Sequence, residues 1–123
     1  MNIIVVAPNE EITSEIAAAV REVYKQDDDV VKTYDSPLWV VQYAKTNKVD
    51  MVIMTDEQKR PMNCLSLARW LLECDPDVKL VFLIKTDKEL DALRLIPDLP
   101  CGYIRWPVTA EAVKNIQIVR CAV

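Results

Sequence analysis

Histidine is absent from all 123 residues. Without an imidazole there is no Ser–His–Asp or Cys–His machinery, no His metal ligand and no phosphohistidine. Glycine occurs once, as Gly102, so no glycine-rich loop can wrap backbone N–H groups around a phosphate. No apolar run approaches the roughly 18 residues of a membrane span. The opening Met1-Asn2-Ile3-Ile4-Val5-Val6 is too short for a secretory core. The four cysteines, Cys64, Cys74, Cys101 and Cys121, show neither a CxxC pair nor a zinc spacing. In apolar surroundings and without a signal, they are expected to stay reduced in a cytoplasmic protein.

What is present describes one globular domain over residues 1–123. The chain is 51% hydrophobic and 28% charged, a balance that supports a packed core and argues against disorder. Fifteen Lys+Arg against nineteen Asp+Glu leave a net charge of −4. That sign argues against nucleic acid or an anionic membrane as the direct partner. No residue combination offers both a nucleophile and a base, so an enzyme is not expected.

Short apolar runs alternate with amphipathic segments along the chain. Ile3 to Val6, Val30 to Tyr34, Met51 to Met54, Leu80 to Ile84 and Gly102 to Arg105 read as strands, most of them buried on both faces. Asn9 caps a first helix carrying Ile12, Ile16, Val20, Val23 and Tyr24 inward. Ser36-Pro37 opens a second with Leu38, Val41 and Ala44 on one face. A third runs over Leu65, Ala68, Leu71 and Leu72. Thr86-Asp87-Lys88-Glu89 is a capping box for a fourth with Leu90, Leu93 and Leu95. Thr109 caps a last helix with Ala112, Val113, Ile116 and Val119 inward. Trp39 and Trp70 are expected at the core edge. The pattern is (βα)₅: a doubly wound three-layer α/β sandwich around a five-stranded parallel sheet. Ligands of such sheets bind beyond the strands' carboxyl ends, where strand order reverses. For the order 2-1-3-4-5 the rim residues are Ala7, Pro8, Asn9, Thr55 and Asp56, completed by Ile84, Lys85 and Trp106.

Three stretches then resemble response-regulator receiver domains (CheY-like, flavodoxin-like). Val49-Asp50-Met51-Val52-Ile53-Met54-Thr55 is similar to their third strand, Asp-x-Val-apolar-apolar-Asp. Pro61-Met62-Asn63-Cys64-Leu65 resembles the Pro-Gly-Met-Asp-Gly-Leu that follows it. Gly102-Tyr103-Ile104-Arg105-Trp106-Pro107-Val108 resembles the fifth-strand Asp-Tyr-apolar-x-Lys-Pro-apolar. The likeness runs over about residues 2–120, with one extra residue after the third strand. It implies a phosphorelay module of two-component signal transduction.

In that family an acidic pair and an Asp hold Mg²⁺, the Asp takes a phosphoryl group, and a Lys and a Ser/Thr bind its oxygens. Carried over residue by residue, the acidic pair falls on Ala7 and Pro8 and the acceptor on Thr55. The Ser/Thr falls on Ile84 and the Lys on Trp106. None can do the chemistry, so the resemblance implies a degenerate pseudo-receiver with no catalytic residue, no Mg²⁺ and no other cofactor. Trp106 is expected to fill the vacated site against Ala7 and Pro8, and the Thr55 hydroxyl to bond nearby backbone. Tyr103 sits at the aromatic switch position, and Pro107 follows a peptide bond that is cis in the family.

Two alternatives stand beside this reading. Asp56, one residue past the lost acceptor, would serve as an atypical phosphoacceptor; or the rim around Ala7, Pro8, Thr55, Ile84 and Trp106 would hold a small ligand. The charged loop Asp56-Glu57-Gln58-Lys59-Arg60 reads as solvated. Receivers pair through the fourth helix, fifth strand and fifth helix. Here Lys88, Asp91, Arg94, Arg105 and Lys114 give that face both signs, as a self-complementary homodimer contact needs. The chain resembles the amino-terminal regulatory part of a longer regulator whose output is transcriptional, acting on a protein partner or on itself.

Overall fold

The computed structural model describes residues 1–55 and 64–120. Asp56 and the rest of its charged loop, the stretch Pro61-Met62-Asn63, and Cys121 lie outside them. β-Branched runs resist helix and pack well on a pleated surface. They become β1 (Asn2–Val6), β2 (Val30–Tyr34), β3 (Met51–Thr55), β4 (Lys79–Ile84) and β5 (Gly102–Arg105). Between and after them lie α1 (Glu10–Val23), α2 (Pro37–Ala44), α3 (Cys64–Cys74), α4 (Asp87–Arg94) and α5 (Ala110–Lys114).

Each expected cap is in place. Asn9 Oδ1 accepts from Ile12 N at 2.9 Å, Ser36 Oγ from Leu38 N at 3.4 Å and Thr109 Oγ1 from Ala112 N at 3.1 Å. Thr86 Oγ1 accepts from Glu89 N at 3.3 Å, and Glu89 Oε2 reaches back to accept from Lys85 N at 2.9 Å.

The five strands are parallel, as the alternation of elements predicts, and stand in the flavodoxin-like order β2-β1-β3-β4-β5. β3 is the centre, with all five residues buried. Side chains alternate across the sheet. Ile3, Val5, Met51, Ile53, Val81, Leu83 and Ile104 join Ile16, Val20 and Val113 under α1 and α5. Ile4, Val6, Val52, Met54, Leu80, Phe82 and Ile84 join Val40, Leu67, Leu71 and Leu90 under α2, α3 and α4. Fully burying each large aliphatic side chain stabilises the fold by roughly 1.5–3 kcal/mol before conformational entropy is set against it. Among the described residues no helix is long and apolar enough to cross a membrane.

The last segment departs from the expected five strands. A sixth strand, β6 (Gln117–Ile118), pairs antiparallel with the start of β5, Gly102 opposite Ile118 and Tyr103 opposite Gln117. The last helix therefore stops at Lys114 and does not carry Ile116 and Val119. Asn115 ends it by turning its side-chain amide back onto Glu111 O and Glu111 Oε1, both at 3.1 Å. The β-branched Ile116, Ile118 and Val119 then prefer an extended chain.

Two helix faces also differ. On α2 the buried residues are Pro37 and Val40, while Leu38 and Trp39 stand 46% and 59% exposed. That helix sits over the sheet's edge strand, so its outer side has no layer to pack on. Leu95 follows α4 as its C-cap and is 63% exposed rather than inward.

Candidate functional site

Parallel strands end on one side of the sheet, so the residues that follow β1, β3, β4 and β5 form one rim. Ala7 is buried, and its N–H donates to Tyr34 O at 3.2 Å. Thr55 ends β3 at 5% exposure. Its Oγ1 is buried with no hydrogen-bond partner among the described residues, against the expectation of a backbone bond. The carbonyl of Thr55 accepts from the Cys64 thiol, which ties the start of α3 to the end of β3. Ile84 ends β4 at 1% exposure, and its carbonyl accepts from Trp106 N at 2.8 Å. That bond carries the ladder one residue beyond β5.

Strand alternation divides these residues between the two faces. Ala7 and Trp106 pack with the α1/α5 cluster, and Thr55, two residues beyond Ile53, points the same way. Ile84 packs with the α2/α3/α4 cluster. The half-buried Trp106 shares an apolar cluster with Ala7 but not with Pro8, which is exposed and belongs to neither. The residues of the expected pocket, Ala7, Pro8, Thr55, Ile84 and Trp106, thus stand along one rim with their side chains divided between the two faces of the sheet.

Nothing at these positions fits a divalent cation. Ala7 and Pro8 offer a methyl group and a pyrrolidine ring, and Thr55 one neutral hydroxyl, where Mg²⁺ needs anionic oxygens. No phosphoryl step can be derived through them. Asp56, the alternative acceptor, lies outside the described residues.

The neighbouring face is built on α4, β5 and α5. The Trp106–Pro107 peptide is cis, the geometry the resemblance implies. Half-buried Tyr103 packs toward the α4 side, with the Arg105 guanidinium 6.0 Å from its ring centroid. Arg105 also pairs with Asp87 on α4, and that hydrogen bond pushes its guanidinium further above its usual range. Asp91 and Arg94 pair along α4 at 3.6 Å. The acids of this face are thereby engaged within the chain, whereas Lys88 and Lys114 are exposed with no ion-pair partner among the described residues. β6 covers the first half of the outer edge of β5, leaving Ile104 and Arg105 there.

Among the described cysteines, Cys64 and Cys101 are buried and Cys74 is exposed. Burial pushes the Cys101 thiol up to about 11, so it stays protonated and unreactive near neutral pH.

No family model and no curated protein matches the sequence. Solved structures do. A two component transcriptional regulator AraC from Clostridium phytofermentans ISDg superimposes with a TM-score of 0.71 at 18% identity, covering 94% of this chain and 90% of that one. A response regulator receiver domain protein from Clostridium thermocellum gives 0.65 at 21% identity, covering 93% and 91%. The RcsB response regulator of Salmonella typhimurium gives 0.68 at 12% identity, covering 94% of this chain but 57% of that one. With the strand order and the two-faced core, these matches give this chain the fold of the CheY-like response-regulator receiver domains.

Proposed function

We propose that this chain is a pseudo-receiver: a regulatory module that keeps the receiver fold without its phosphoryl chemistry. It acts through protein contacts, with a partner or a second copy, to control an output domain that regulates transcription. The observation that carries this is the side-chain chemistry at the strand ends, Ala7, Pro8, Thr55, Ile84 and Trp106 in place of three carboxylates, a hydroxyl and an ammonium. An apolar rim with Trp106 packed on the α1/α5 cluster supports a single loop arrangement in place of one that responds to phosphate. A conformational change would then come from a partner that binds one arrangement better than another.

A transcriptional output rests on the likeness to the regulator from Clostridium phytofermentans and on the longer RcsB chain, studied for its DNA interaction. For self-association the α4–β5–α5 face offers Leu95, 63% exposed, as an apolar anchor. The module is the amino-terminal part of a longer regulator on this reading.

The test is labelling by a small phosphodonor. After incubation with acetyl phosphate and Mg²⁺, the intact mass of the protein should show no phosphoryl adduct. An adduct that disappears in D56N would move the acceptor to Asp56 and overturn the proposal, and one that survives in D56N would overturn it through another residue.

A further inference from the structure

A cleft opens where the edge strand β2 ends, on the same side of the sheet as the rim and next to Ala7, whose N–H donates to Tyr34 O. It has a volume of about 450 Å³ and is lined by Glu10 and Thr13 of α1, Thr33, Tyr34 and Asp35 at the end of β2, and Trp39 of α2. The fold explains why the lining is unusual. Trp39 lies on the side of α2 that overhangs the sheet edge, so 59% of its surface stays exposed. Tyr34 is half-buried and tilts against Tyr43 with ring centroids 6.2 Å apart, which fixes its ring. Thr13 is buried, and its hydroxyl donates to Glu10 O at 2.9 Å, leaving its lone pairs to accept.

The charge in the cleft is of one sign. Glu10 and Asp35 form no ion pair among the described residues, and no Lys or Arg lines the space. The starts of α1 and α2 lie close by, and each helix N-terminus carries about half a positive charge. Two full carboxylate charges outweigh those, and Asn9 and Ser36 already cap the helices. Both charged side chains that line the cleft are acids, and the nearby Lys32 ammonium sits outside it, over the Tyr43 ring.

From this juxtaposition of aromatic faces, carboxylates and threonine oxygens, we infer that the cleft binds an organic cation, a guanidinium or alkylammonium group of small-molecule size. An aromatic face attracts such a cation through the ring quadrupole, and the carboxylates supply Coulomb attraction and hydrogen-bond acceptors. A hydrated metal ion would not use the Trp39 face, and an anion would meet both carboxylates. Because Glu10 and Asp35 are exposed, solvent screens the attraction, so binding is weak and salt-sensitive. This inference does not depend on the fate of the phosphoryl site.

The test is a titration of the ¹⁵N-labelled protein with ethylguanidinium chloride, with sodium chloride at equal ionic strength as the control. The Trp39 indole N–H, assigned through W39F, should shift saturably with the cation and not with sodium. D35N combined with E10Q should weaken binding at least tenfold, and raised salt should weaken it in the wild type. The three changed side chains are all exposed, so the variants should keep the amide spectrum of the fold elsewhere. A second arm uses a short peptide with one arginine. Tenfold tighter binding than ethylguanidinium assigns the cation to a partner's basic side chain, and equal or weaker binding assigns it to a free ligand. No saturable shift with either probe, or equal affinity in the double variant, would overturn the inference.

Discussion

Gly102 is the residue on which the end of the fold turns. A Cβ at this position would lie 2.6 Å from Ile116 Cγ2 and 3.0 Å from Gln117 O. Only a residue without a side chain lets the segment after α5 close onto β5. Gly102→Ala should therefore cost about 1–3 kcal/mol through overpacking, read as a lower midpoint in chemical denaturation with an unchanged slope. A variant as stable as the wild type would mean that β6 is not packed there. The residue scale also shows where sequence and structure part. Thr55 and Ile84 were placed at strand ends by the apolar runs that precede them. The face each takes depends on the alternation of a strand whose exact end the sequence leaves open. A shift of one residue reverses that face. Trp39 neighbours an apolar stripe in the sequence, which places it at the core edge; its exposure follows from the edge position of β2, which depends on strand order and not on local pattern.

At the scale of elements, short apolar runs and capping side chains make five strands and the starts of four helices legible. The last element is not. Ala112, Val113, Ile116 and Val119 fall at helical spacing, and the stop depends on Asn115 folding back on Glu111. The alternation Ile116-Gln117-Ile118 was the available signal, too short to outweigh the helical period. The α4–β5–α5 face is bordered by β6 and a short α5. Its acids are held within the chain by Arg105 and Arg94, so self-association would rely on apolar contact more than on matched charge. Leu95→Asp should then lower any wild-type dimer to monomer in light scattering over a concentration series, leaving the circular dichroism unchanged. A wild type that stays monomeric at the highest concentrations, or a dimer unaffected by the change, would remove this face from the account.

At the scale of the whole molecule, two separate facts meet. The doubly wound sheet was legible from alternation alone, and its likeness to solved receiver structures covers nearly the entire chain. The chemistry that this fold supports elsewhere depends on a few side chains at the strand ends, and those side chains differ here. A fold is held by its core and a function by its rim. The measurement that tests this separation most directly is an amide NMR titration with Mg²⁺, followed by Mg²⁺ with beryllofluoride as an acyl-phosphate mimic. The account predicts no saturable shift at Ala7, Asn9, Thr55, Ile84 or Trp106, at any concentration where the protein stays folded. Saturable shifts converging on Thr55 and its neighbours would show a working acceptor site and contradict the account.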